Sequence, residues 1–208
     1  MEKAIGMVEF SSISRGIYAA DQMVKVSDAE LATATSVCPG KYIAIVHGDV
    51  ADVEESVQIG EEVGDAFVVD SILIPNVHPG VFPAIVGATV PEDIEALGIL
   101  ESYSLSAMVE AADLVLKCAD LEGLELRLGT GLGGKSYFIY TGEVAAVHNG
   151  DDTGRESLGS KGLLLNSEVI PFPSKKLLDN LYSAGRRPNL WPLNIKNASY
   201  RSTCRGAR

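Results

Sequence analysis

Two stretches of this chain are versions of one another. Residues 4–9, AIGMVE, return 92 positions later as 96–101, ALGILE, and residues 19–25, AADQMVK, return as 111–117, AADLVLK. Between 4–27 and 96–119 there are nine identities in 24 positions, where unrelated sequence of ordinary composition gives about one or two. After a two-residue insertion the match resumes at an offset of 94, pairing Gly40 and Lys41 with Gly134 and Lys135, and GDVA at 48–51 with GEVA at 142–145. A last shift to 96 aligns Ile74 and Pro75 with Ile170 and Pro171. The chain therefore folds one unit twice, with domains at 1–90 and 96–182 and a tail at 183–208.

Periodicity gives each unit the same order of elements. Ala4 to Phe10 is a short apolar strand, and Ile13 to Val26 is a helix with Ile13, Ile17, Ala20 and Val24 on one stripe. Leu31 to Val37 reads as a strand because its counterpart, Leu124 to Leu128, alternates. Tyr42 to Val46 is a buried strand, and Asp49 is placed to cap a helix carrying Val50, Val53 and Val57 that ends near Gly64. Phe67 to Ile74 closes the unit as a strand stopped by Pro75. The class is α/β (α+β), two tandem ferredoxin-like βαββαβ domains. The last helix of the second unit is expected to be weak, because Asn149, Gly150, Asp151 and Asp152 are turn formers. The connection, 75–95, holds four of the nine prolines and a helical turn at Val81 to Val86.

Charge narrows the partners. Residues 1–182 carry all 28 acids and eleven of the 17 Lys and Arg; residues 183–208 carry six bases and no acid. An acidic body lacks the basic face that displaces counterions from a duplex, so no nucleic acid is expected as partner. No apolar run approaches the ~18 residues of a membrane span, so no membrane is expected either. Without a basic, apolar leader the expectation is a cytoplasmic protein. The tail has no apolar periodicity and reads as disordered. Three cysteines, Cys38, Cys118 and Cys204, do not make a paired framework, which leaves reduced thiols or metal ligation.

Residues 129–136, GTGLGGKS, satisfy the phosphate-loop pattern G-x4-G-K-[ST]. That pattern needs a helix after the loop, and Tyr137 to Tyr140 is strand-forming instead. The equivalent first loop, Ser36 to Lys41, keeps only Gly and Lys. Cys38 lies in that loop beside Pro39, Gly40 and Lys41, where a thiol is accessible. Cys118 reads as a small buried hydrophobe. His47, His78 and His148 lack ligand spacing and are read as structural. The acids Asp52, Glu54, Glu55, Glu61 and Glu62 read as a solvated helix face. No nucleophile elbow or catalytic triad order appears, so the chain is not expected to be an enzyme.

The opening A-x-G-x-x-E, the helical A-A-D-x-x-x-K, the Gly-Lys loop and the following G-[DE]-V-A, each present in both halves, resemble the tandem-domain, trimer-forming class of bacterial microcompartment shell proteins. Within that class the loop pattern is similar to that of the propanediol-utilisation iron-sulfur shell subunit. The resemblance implies a homotrimer of pseudohexameric shape in a microcompartment shell, with other shell proteins as lateral partners and encapsulated redox enzymes as further ones. It implies a central loop or pore lined by Val37, Pro39, Gly40, Lys41, Leu132, Gly133, Gly134 and Lys135. It also implies one [4Fe-4S] cluster per trimer, ligated by three Cys38 thiolates, for electron transfer or cluster exchange across the shell. Lys25 and Lys117 fall where the family places lysines at tile edges, whereas Phe172 stands where its P-x-P motif carries arginine. The alternatives are a tile with an open metabolite pore and no cluster, a nucleotide-binding protein using Gly129 to Ser136, and a thiol redox sensor using Cys38.

Overall fold

The computed structural model describes residues 4–87, 89 and 94–185. The first repeat runs β1 (Ala4–Phe10), α1 (Ile13–Val26), β2 (Glu30–Val37), β3 (Lys41–Gly48), α2 (Val50–Gly64) and β4 (Val68–Pro75). A short helix, α3 (Val81–Val86), lies in the connection. The second repeat runs β5 (Ala96–Ser102), α4 (Leu105–Cys118), β6 (Glu122–Leu128), β7 (Ser136–Gly142), α5 (Val144–Ser160) and β8 (Leu164–Pro171). These elements form one compact unit, and helix α6 (Lys175–Gly185) belongs to a second. Residues 186–208, most of the expected tail, lie outside the described residues.

Each repeat is βαββαβ, and its four strands form an antiparallel sheet, in the order β2-β3-β1-β4 or β6-β7-β5-β8. The likeness extends to irregularities. β2 slips register between Leu31 and Thr33, and β6 slips at the equivalent step between Gly123 and Glu125. Ser12 caps α1 and Ser104 caps α4, each side chain accepting an N–H from three residues on.

Strand alternation divides the core. Ala4, Val8 and Phe10 of β1 pack with Ala19, Ala20 and Met23 of α1 and with Val53 and Val57 of α2. Ile5 and Met7, on the opposite face, join Ile43, Ile45 and Ile72 in a cluster that contains Leu105, Val109 and much of the second repeat. β1 is thus buried at every position, which explains its unbroken apolar run.

Three expectations need correction. α1 buries Gly16, Ala19, Ala20 and Met23, and Ile13 and Ile17 are 41% and 54% exposed. The small side chains let the helix lie close to its own sheet; Tyr42 sits so near Gly16 that an added Cβ would meet its ring at 2.7 Å. The helix expected to be weak, α5, runs unbroken over 17 residues. Its glycines are places of close approach, since a Cβ at Gly154 would stand 2.3 Å from Leu100 and one at Gly150 2.8 Å from Tyr140. Packing outweighs their low propensity, which costs only about 1 kcal/mol each. Phe67 belongs to a short 3-10 turn before β4 and not to the strand.

The tightest approach in the second sheet is at Gly98, where an added Cβ would lie 2.2 Å from the Tyr140 ring. Gly98→Ala is expected to lose about 1–3 kcal/mol in urea unfolding. In a Tyr140→Val background, which copies Val46 of the first repeat, the loss should shrink. Burial, with a smaller contribution from Glu125, pushes the Tyr137 phenol up to about 12. The unfolded chain releases that proton near pH 10. Stability from this group is therefore full below pH 10 and falls as pH rises through 12. Tyr137→Phe should remove that late phenol from an absorbance titration and flatten this part of the stability curve.

Candidate functional site: paired loops at the strand ends

The loop between β2 and β3 and the longer loop between β6 and β7 lie side by side. The Cys38 N–H donates to the Gly129 carbonyl at 3.2 Å, and a Cβ at Gly134 would stand 3.1 Å from Pro39. Val37 is buried between them, with its Cβ 2.9 Å from where a Cβ on Gly129 would be. The Cys38–Pro39 peptide is cis. Cys38 is a half-buried free thiol.

Glycine lets the loops turn this tightly. Gly40, Gly129, Gly131, Gly133 and Gly134 all have φ between 63° and 90°, a region that other residues rarely adopt. The second loop is tied internally, with Gly129 N–H donating to the Lys135 carbonyl at 3.1 Å and Lys135 N–H to the Leu132 carbonyl at 3.3 Å. Leu132 is half-buried, and Gly40 and Gly133 are exposed with nothing within 4 Å of an added Cβ.

The Gly-Lys lysines turn back from the loops toward their own sheets. Lys41 Nζ lies 2.6 Å from Glu9 Oε1, and Lys135 Nζ lies 3.9 Å from Glu101 Oε2. Glu9 and Glu101 are the acids of the repeated A-x-G-x-x-E, so two repeated motifs are the two ends of one ion pair. Sequence reasoning passed over both glutamates as ligands of the lysines. The available signal was an acid and a lysine recurring together in each half. The phosphate-loop reading fails on the same geometry: the loop enters strand β7 with no helix, and Lys135 is turned to Glu101.

Lys25 and Lys117 end α1 and α4, away from these loops. Each is paired with the aspartate four residues earlier, Lys25 with Asp21 at 2.5 Å and Lys117 with Asp113 at 2.6 Å. The hydrogen bond from Lys25 holds the Asp21 carboxyl below the usual range. Asp113 is buried and also accepts the His78 N–H at 2.7 Å, which ties α4 to the connection after the first repeat. Ser106 donates to Asp70 on β4 across the same junction. Cys118, expected to be buried, is exposed at the end of α4, with its thiol donating to the Val115 carbonyl. Phe172 is 74% exposed, with φ of 49°. No helix among the described residues is long and apolar enough to cross a membrane.

Against known proteins, the family described as BMC domain matches residues 4–77 and again 96–173. The chain is 36% identical over 177 residues to the bacterial microcompartment shell protein PduT of Citrobacter freundii, covering 85% of this chain and 96% of that one. It is 30% identical over 197 residues to the carboxysome assembly protein CcmO of a Synechocystis strain, covering 86% of this chain and 63% of CcmO. A crystal structure of a microcompartment protein from Desulfitobacterium hafniense superposes with a TM-score of 0.82 at 42% identity, covering 86% of this chain and 99% of that one.

The two ion pairs differ in burial, since the Glu9 side chain is 4% exposed and the Glu101 side chain 41%. Lys41→Met strands a buried carboxylate and is expected to cost about 2–4 kcal/mol, against less than about 1 kcal/mol for Lys135→Met. Combining Lys41→Met with Glu9→Met should recover most of the loss, measured by urea unfolding.

Proposed function

Because this chain belongs to the BMC-domain family of bacterial microcompartment shell proteins, we propose that it is a structural tile of such a shell. Three copies close a ring of six repeats, and the Cys38 loops surround its axis. The reading makes the protein a wall component and not an enzyme, with other shell proteins as lateral neighbours.

The observation that carries the ring is a mismatch in burial between equivalent positions. Leu105 and Val109 on α4 are 2% and 0% exposed, whereas their counterparts Ile13 and Ile17 on α1 are 41% and 54% exposed. On the sheets, Met7, Ile43 and Ile45 are buried, whereas their counterparts Ile99, Tyr137 and Ile139 are only half-buried. Within the chain, α4 shares one core with the outer face of the first sheet. Among the described residues one open helix face and one open sheet face remain, and each matches half of that contact. A second copy supplies the missing half, and head-to-tail repetition closes into a ring.

The cysteine follows from the ring. Within one chain, no described group of three or more His, Cys, Asp or Glu is placed to hold a metal ion. A [4Fe-4S] cluster would need thiolates from several copies, and Cys38 is half-exposed beside glycines with open space around them. The residues fit in kind: three Cys38 thiolates would hold the cluster, and the glycine loops leave room for it. Once bound, the cluster would supply one-electron transfer, with one iron open to a small ligand. Electron transfer or cluster exchange across the shell is the resulting role. Lys25 and Lys117 act at the tile edges, held in orientation by Asp21 and Asp113.

Anaerobically purified protein is expected to hold one cluster per three chains by iron and sulfide analysis, with a cubane signal in electron paramagnetic resonance. Cys38→Ala should lose iron and signal but sediment unchanged. Iron-free trimers from cluster-loading conditions would leave an open pore in place of the cluster. Lys25→Ala with Lys117→Ala should keep the trimer and abolish extended sheets in electron micrographs. Alanine is preferable to aspartate at 117, where a second acid would face buried Asp113.

A further inference from the structure

α3 shows how the segment after a repeat is used. It follows β4 of the first repeat and seats on the second, with Val81 and Ala84 fully buried. A Cβ on Gly123 of β6 would stand 3.3 Å from the Ala84 Cβ, and one on Gly80 would stand 3.3 Å from Leu116 of α4. A six-residue helix thus fastens one repeat to the next.

α6 holds the equivalent place after β8. The offset of 96 that aligns Ile74 and Pro75 with Ile170 and Pro171 also aligns Val81, Phe82 and Ile85 with Leu177, Leu178 and Leu181. Leu177 and Leu181 are each 37% exposed. The matching seat exists in the first repeat. Leu31 on β2 is the counterpart of Gly123, both lying just before the register slip, and Val24 on α1 is the counterpart of Leu116. Leu31 is 43% exposed, and the exposed acids Asp28 and Glu30 flank it, opposite in charge to Lys175 and Lys176 at the start of α6.

We propose that α6 is a clasp between copies: Leu177, Leu178 and Leu181 dock on Leu31 and Val24 of the next chain. The direction follows from α3, which reaches forward to the next repeat; beyond the second repeat, the next is the first repeat of a neighbour. The proposal rests on the ring reading above and adds a second fastening to it.

Disulfide capture tests it in the full chain, with Cys118→Ser and Cys204→Ser as background. Asn180 is the counterpart of Ala84, so Asn180→Cys and Leu31→Cys occupy the equivalent of the Ala84–Gly123 contact, near the about 3.5–4.5 Å that disulfide Cβ atoms require. Chains carrying one substitution each, differently tagged and co-expressed, are expected to give a reducible two-chain band only when both are present. Ala84→Cys with Gly123→Cys in one chain should close internally and calibrates the chemistry. Sedimenting trimers with no mixed disulfide, while that control closes, would overturn the clasp and leave the ring standing. Closure of Asn180→Cys onto Leu31→Cys within a single polypeptide would also overturn it. Monomeric sedimentation of the unsubstituted protein would remove the ring and the clasp together.

Discussion

The structure depends on covering both faces of a four-stranded sheet. A βαββαβ unit supplies two helices, and both pack on the same face. The other face of the first sheet, with Ile5, Met7, Ile43 and Ile45, is as apolar as the covered one and needs a partner from outside the unit. Burying one such side chain is worth about 1.5–3 kcal/mol. The second repeat meets that demand within the chain, through α4, and α3 fastens the contact. The outer face of the second sheet is less buried and more polar: Tyr137 replaces Ile43 and Glu168 replaces Ile72.

Element order was legible because the repeat supplied two readings of every segment. Where one copy was ambiguous, as at Leu31 to Val37, the other decided. Periodicity misassigned the role of α1 because it reports which positions share a face, not what covers them. Ile13 and Ile17 form an apolar stripe that stays exposed in the single chain, and α1 meets its own sheet through Gly16, Ala19 and Ala20. Glycines misled in α5 for a related reason. Gly150 and Gly154 look like turn formers in sequence, and only the positions of Tyr140 and Leu100 reveal that they admit those side chains.

The candidate site was legible to the extent that its residues were contiguous. Cys38 to Lys41 and Leu132 to Lys135 are two loops, and the structure brings them together through the Cys38–Gly129 hydrogen bond. Glu9 and Glu101 lie 32 and 34 residues before their lysines. No local pattern joins residues so far apart, but the strand pairing of β1 with β3 and of β5 with β7 does. The repeated AAD-x-x-x-K was legible as a motif, and its aspartate gains a reason as the anchor of the lysine. Part of the family likeness is thus a set of ion pairs preserved in both halves.

Joining two repeats in one chain has a further consequence for how such a tile responds to dilution. The contact between the first sheet and α4 is intramolecular, so its effective concentration is set by the connection and not by the amount of protein. A closed ring of these chains would hold equal numbers of concentration-independent and concentration-dependent junctions, in alternation. Thinning the solution opens only the second kind. Such a ring comes apart into three pre-paired chains of identical make-up, and each re-enters with one junction already made.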